Sequence, residues 1–231
     1  KLGRVHCADE AINAIKAAQG AGFSRINIDL MHGLPDQTTA MALQDLSTAI
    51  ATGVSHISWY QLTIEQNTEF YRYPPLLPVE DTLADIQDKG FALLAAQGFG
   101  QYEVSAFAKA GQKARHNVNY WQFGDYLAIG AGAHGKITLP KEGAIIRYNK
   151  TRLPKDYLAR TSDFNAQLQA LEHDEILFEY LMNGLRLTEG VSMKDFCAYT
   201  GFKQEALFER CKPLIAKKLL IVGENIRTTE L

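Results

Sequence analysis

Over the first 110 residues the apolar positions alternate between two rhythms. From residue 8 the spacing is helical, with Ile12 and Ile15 on one face and Gly20 and Gly22 supplying a stop. "RINIDLM" (25–31) then alternates with period two. Ile26, Ile28 and Leu30 share one face of a strand, and Asn27 and Asp29 share the other. "HGLPDQT" (32–38) is a turn broken by Gly33 and Pro35. Thr38 is placed to cap a second helix, in which Leu43, Leu46 and Ile50 recur at helical spacing. The cycle repeats with a strand at 56–63 ("HISWYQLT") and a Pro-rich connection at 73–78. A third helix carries Leu83, Ile86 and Leu94 and ends at Gly98, and a strand follows at 101–107 ("QYEVSAF"). Helix–strand alternation of this kind predicts an α/β fold with a parallel sheet and helical crossovers.

After residue 110 the rhythm breaks. "HNVNYW" (116–121) crowds polar and aromatic side chains into six positions, with Val118 as its one aliphatic residue. Residues 124–137, "GDYLAIGAGAHGKI", interleave apolar residues with glycines, which suggests close backbone approaches rather than a regular element. "AIIRYNK" (144–150) reads as an edge strand. From about Leu171 the pattern becomes helical again. An amphipathic helix ("EHDEILFEYLMNGLRL") is followed by a short helix with Ser192 as cap and Gly201 as stop. A third helix, which Pro213 should kink, leads into a hairpin turning near Gly223–Asn225. Three helices and a hairpin predict a small winged-helix-like module. The expected divisions are therefore 1–110, an irregular extension at 111–170, and 171–231.

Composition narrows the function classes. The chain has 231 residues, is 46% hydrophobic and carries a net charge of −2. It is long enough to bury a substantial core. The slight negative charge offers no general attraction to nucleic acid. The third helix of the C-terminal module mixes Arg210, Lys212, Lys217 and Lys218 with Glu205 and Glu209, so no nucleic-acid partner is expected. No apolar run approaches the roughly 20 residues of a membrane-spanning helix. Three scattered cysteines (Cys7, Cys197, Cys211) make neither a disulfide framework nor a metal-type spacing, and point to a reducing, cytoplasmic setting. The chain opens on Lys1 rather than Met, and further sequence upstream is expected.

Candidate chemistry gathers at strand ends. Asp29 stands at the end of the first strand, and Arg4 precedes the first helix. A carboxylate and a guanidinium there suit a charged small molecule bearing amine, hydroxyl and carboxylate groups. Gln61 and Glu103 sit on later strands and line the same rim, with no acid–base role assigned. Residues 116–121 admit three readings: polar side chains bonding backbone in an irregular loop over Tyr120 and Trp121, aromatic rings stacking on a flat ligand, or His116 ligating a metal. By pattern alone the architectural reading leads. His134 lies in "GAGAHG", where small residues let a flat ligand approach, and His32 sits in the turn after Asp29. His6, His56 and His173 show no partner spacing.

"DLMHGLPDQT", "SWYQLTIEQNT", "YEVSAFA", "HNVNYW", "FGDYLAIGAGAHGK" and "MNGLRL" follow one another in the order of the HemW-type haem chaperones. Those proteins are radical S-adenosylmethionine relatives of the oxygen-independent coproporphyrinogen III oxidase. The resemblance covers essentially the whole chain. It implies part of a (β/α) radical-SAM-type barrel followed by a winged-helix-like domain. It also implies haem or porphyrin as ligand, haem-acceptor proteins as partners, and S-adenosylmethionine with a [4Fe–4S] cluster as cofactors. The family's CxxxCxxC cluster motif is not in this sequence, so the cluster ligands are expected outside it. No catalytic residue is assigned, and the segment alone is expected to perform no radical chemistry. Carried over by motif, Arg4 and Asp29 resemble S-adenosylmethionine contacts. His116 resembles the haem-associated histidine and a ligand of the haem iron, with Tyr120 and Trp121 beside it and His134 in reserve. The alternative the resemblance leaves is an oxidase that decarboxylates coproporphyrinogen III by a radical route. The HNxxYW and GAGAHG blocks favour the chaperone branch.

Overall fold

The structure, a computed structural model, describes residues 7–229. The contacts divide the chain into two compact units, residues 1–114 and 115–231.

In the first unit, α1 (Ala8–Gly20) begins where the Glu10 carboxylate accepts the backbone N–H of Cys7 at 2.8 Å. β1 (Asn27–His32) turns Ile28 and Leu30 toward the core and leaves Asn27 and Asp29 exposed, as the alternation predicts. α2 (Thr39–Ala51) is capped by the Thr38 hydroxyl, which accepts the Met41 N–H at 3.3 Å. β2 (His56–Gln61) lies parallel to β1 with Asn27 opposite His56. A single turn, α3 (Glu69–Arg72), and the long α4 (Glu80–Ala96) follow. Leu46, Ile57, Ile86 and Leu94 are fully buried in the core between the helices and the sheet. Their burial, at about 1.5–3 kcal/mol each, is what drives this layer together.

The strand expected at 101–107 is instead two. β3 (Gly100–Glu103) and β4 (Ala106–Ala108) form a tight antiparallel hairpin, and β4 then pairs antiparallel with β2, giving the order β1-β2-β4-β3. The parallel arrangement predicted from the helix–strand rhythm therefore holds for β1 and β2 only. The cause is the Val104–Ser105 turn. The Glu103 carboxylate accepts both the backbone N–H and the hydroxyl of Ser105, at 3.0 and 3.2 Å, and folds the segment back.

The second unit starts with α5 (Arg115–Trp121), a helix where the composition suggested an irregular loop. β5 (His134–Leu139), β6 (Ala144–Lys150), the short α6 (Pro154–Leu158) and β7 (Asn165–Ala170) come next. The three strands make an antiparallel sheet of order β5-β6-β7. β6, expected at a sheet edge, is its centre. The polar segment "NAQLQA" occupies the far side, with too few apolar residues to announce a strand. Residues 111–170 are thus more regular than expected.

α7 (His173–Gly184), β8 (Val191–Ser192), α8 (Met193–Thr200), α9 (Gln204–Ala216), β9 (Leu220–Val222) and β10 (Asn225–Thr228) complete the unit in the element order of a winged helix, with sheet order β8-β10-β9. Ser192 caps α8 by accepting the Asp195 N–H, and Gly201 ends it in the left-handed region, both as predicted. α9 runs past Pro213 to Ala216. Phe123 and Ile145 lie in the same core cluster as Ile176, Leu177, Tyr180 and Phe196.

Candidate functional site

α5 is short, and its composition is explained by what each side chain meets. His116 and Tyr120 stand one turn apart on the same face, their rings edge-on with centroids 6.5 Å apart, and Tyr120 meets Tyr126 edge-on at 4.6 Å. The Arg186 guanidinium lies 4.4 Å from the Trp121 ring. Asn119 is architectural. Its amide donates to the Asp125 carbonyl at 3.0 Å and fastens the turn that leaves the helix. That turn carries Phe123 at φ 62, a left-handed backbone that a bulky residue adopts only under constraint.

The constraint is Lys136. This side chain is 1% exposed, its ammonium donates to the Phe123 carbonyl at 2.8 Å and to Asp125 at 2.9 Å, and it sits 4.0 Å from the Phe123 ring. Burial draws the Lys136 ammonium below its ordinary value, a pull that Asp125 partly offsets. Burial also raises the Asp125 carboxyl. The Thr138 N–H, Lys136 and the Thr138 hydroxyl more than reverse this, leaving it below the usual carboxylate range.

Strand register does the rest. His134 and Lys136 on β5 pair with Asn149 and Arg147 on β6, and those pair with Gln167 and Gln169 on β7, so all six share one sheet face. Against this face lies an open hollow of about 340 Å³, edged by Tyr120, Trp121, Tyr126, His134, Lys136 and Arg147. A smaller hollow of about 150 Å³, edged by Asn149, Gln167 and Gln169, shares His134 and Arg147 with it. One side of this cleft is aromatic and the other is amide-lined. Its two cations are already matched. Arg147 donates to Glu179 through Nε (3.0 Å) and to the Tyr126 hydroxyl, and Lys136 is paired with Asp125. Two buried polar atoms on its walls, Trp121 Nε1 and Asn149 Oδ1, have no hydrogen-bond partner among the described residues. Such an arrangement can hold a flat ligand by its faces while offering polar atoms at one edge.

Of the residues singled out from the sequence, Tyr120, Trp121 and His134 stand at this cleft. His116 is exposed and stands beside Tyr120 rather than on the cleft wall. Lys136, Tyr126 and Arg147 also line this cleft and were passed over by pattern reasoning. The one signal for Arg147 was a charged residue directly after the apolar run Ala144–Ile146 of its strand.

Asp29 belongs to the first unit and to a different surface. It is exposed, and its carboxylate accepts the Asn27 amide at 2.8 Å. Asn27 Oδ1 accepts in turn from the Ser58 hydroxyl (3.2 Å) and from His56 Nδ1 (2.6 Å). With that oxygen as acceptor, His56 Nδ1 donates, and its Nε2 lies 2.7 Å from the Tyr102 hydroxyl. The result is a polar sheet face opposite the apolar one. Arg4 lies outside the described residues. Gln61 is exposed, with its side chain against Gly33, and Glu103 is buried in the hairpin turn already described. His32 is 4% exposed and stacked on Trp59 at 4.2 Å. Burial pulls its imidazole down to about 4. Among the described residues, no three His, Cys, Asp or Glu side chains come together as metal ligands, and no helix is long and apolar enough to cross a membrane.

Comparison with known proteins places this geometry in context. The solved structure of coproporphyrinogen III oxidase (HemN) from Escherichia coli, described as a radical SAM enzyme, superposes with a TM-score of 0.74 over 98% of this chain and 56% of that one. At 17% identity this establishes a shared mixed α/β fold. The HemN C-terminal domain family matches residues 171–231. The heme chaperone HemW of Haemophilus influenzae is 50% identical over 207 residues, covering 90% of this chain and 53% of that protein. The heme chaperone HemW of E. coli is 46% identical over 221 residues, covering 95% and 57%. Over nine-tenths or more of its length the chain is similar to proteins named heme chaperone HemW, and it spans a little over half the length of these relatives.

Proposed function

We propose that this chain is the haem-holding part of a protein that carries haem and delivers it to acceptor proteins, built on a radical SAM scaffold. The observation that carries the proposal is the aromatic cleft of the second unit, where Tyr120 and Trp121 edge a hollow against the β5–β6–β7 face. A haem needs a flat apolar seat, a nitrogen or sulfur donor for its iron, and polar atoms at its carboxylate edge. The cleft supplies aromatic rings, the His134 imidazole and polar side chains, and His116 stands beside Tyr120 outside its walls. The likeness to proteins named haem chaperones supports this reading over porphyrinogen oxidation.

The first unit is read as a piece of a (β/α) barrel whose polar face serves S-adenosylmethionine. Asp29 fits that role as an exposed carboxylate positioned by Asn27, suited to accept from hydroxyl or ammonium donors. The described residues do not fit a [4Fe–4S] cluster by themselves, and no step is derived through one.

The test is titration of ferric haem into the full chain its gene encodes, alongside anaerobic incubation with coproporphyrinogen III and S-adenosylmethionine. A saturable Soret band near one haem per chain, with no porphyrinogen consumed, is the expected result. Turnover of the porphyrinogen without haem retention would replace this function with the oxidase.

A further inference from the structure

We propose that His134, rather than His116, supplies the nitrogen that binds the iron of the haem, with the macrocycle lying on the aromatic side of the cleft and its carboxylate edge over the amide strip. The assignment rests on the haem-carrying function proposed above.

Position is the first argument. His134 is the one imidazole that edges both hollows, at the seam between the aromatic wall and the strip of Asn149, Gln167 and Gln169. A donor at that seam faces the middle of a ligand that spans both halves. His116 is exposed, as His134 is, but its ring stands edge-on to Tyr120 and lines neither hollow.

Rigidity is the second. His134 opens β5 and is held in register opposite Asn149, whereas His116 rides on a seven-residue helix. The preceding glycines let the chain come close. Gly132 (φ 71) donates its N–H to the Thr151 carbonyl at 2.8 Å, and the Lys150 N–H donates to the Ala133 carbonyl at 2.8 Å. At the next residue, Gly135, a Cβ would fall 2.3 Å from the Tyr148 ring, so that ring packs directly beneath the strand. The backbone that aims His134 is thereby fixed from both sides.

Polar matching is the third. Arg147 and Lys136 are already paired with Glu179 and Asp125, so the cleft has no spare cation for a carboxylate. The strip of Asn149, Gln167 and Gln169 instead offers neutral side-chain amides, whose N–H groups can donate to a carboxylate oxygen. Binding through such neutral groups depends only weakly on salt.

The experiment compares wild type, His134→Ala and His116→Ala in the full chain. Each is titrated with ferric haem and, separately, with metal-free protoporphyrin IX, and electron paramagnetic resonance reports the iron ligand. For His134→Ala we expect a shifted Soret band, an altered iron signal and roughly tenfold weaker haem binding, equal to about 1.4 kcal/mol. Binding of the metal-free porphyrin should change less than about twofold, because no iron bond is lost. His116→Ala should keep the wild-type spectrum. If His134→Ala folds poorly, His134→Gly with added imidazole serves instead, and recovery of the wild-type spectrum is the supporting result. An unchanged spectrum in His134→Ala, failure of imidazole to restore His134→Gly, or an equal loss of haem and metal-free porphyrin overturns the assignment while haem carriage by wild type stands. A wild-type chain with no Soret band overturns the proposed function and this assignment with it.

Discussion

Gly90 on α4 yields its side-chain space to Trp59 on β2: a Cβ on Gly90 would fall 1.8 Å from Cη2 of the indole. The indole is 2% exposed and also touches His32 and Phe91, so it has no room to withdraw. Replacing a helical glycine by alanine normally gains about 1 kcal/mol. Here the overlap reverses the sign, and Gly90→Ala should cost about 1–3 kcal/mol, read as a lower urea midpoint. Adding Trp59→Phe should recover part of the loss attributed to overlap. A stabilised Gly90→Ala would show that the helix and the indole can move apart.

His32 should make stability depend on pH. Its imidazole titrates near 6.5 when unfolded and at about 4 when folded, because burial disfavours the charged ring. Between those values the unfolded chain binds the extra proton. Stability is therefore fully present above about pH 6.5 and is lost as pH falls toward 4, by up to about 3 kcal/mol. His32→Phe should flatten this slope in urea titrations between those limits. An equal slope in wild type and variant would assign the dependence to other groups.

Lys136→Met should destabilise the second unit by roughly 1.5–3 kcal/mol, because it strips the buried Phe123 carbonyl and Asp125 of a charged donor at once. Asp125→Asn should cost less, about 1 kcal/mol or below, since that side chain is partly exposed and its pairing is screened. Thermal unfolding of both variants gives the order. The reverse order would mean that Lys136 is held by packing rather than by its bonds.

Gly124→Ala should disturb the cleft more than Asn119→Ala. The first would put a Cβ 2.1 Å from Asn119 Oδ1 and 2.9 Å from the Asn119 carbonyl oxygen, which is backbone and cannot swing away. The second removes one hydrogen bond to the Asp125 carbonyl, worth about 1 kcal/mol. Circular dichroism melts should rank them in that order, and equal losses would point to the hydrogen bond alone.

What the sequence determined by itself was whatever depends on neighbours along the chain. The period of Ile12 and Ile15, the alternation of Ile28 and Leu30, the Thr38 and Ser192 caps and the Gly201 stop are short-range signals, and each stands where it was expected. The ordered motifs likewise carried the resemblance to proteins named heme chaperone HemW. What only the tertiary structure decided was pairing between distant segments. Gln101 and Phe107 face each other across a hairpin because Glu103 closes the turn on Ser105, which no periodicity announces. β6 became a central strand only when the polar residues 165–170 came to lie beside it. Lys136, charged and therefore expected at the surface, is buried because Asp125 and the Phe123 carbonyl meet it there. The cleft has the same origin. His134, Asn149 and Gln167 are far apart in sequence, and strand register, a long-range property, brings them to one face, with Tyr120 of α5 at the edge of the hollow against it.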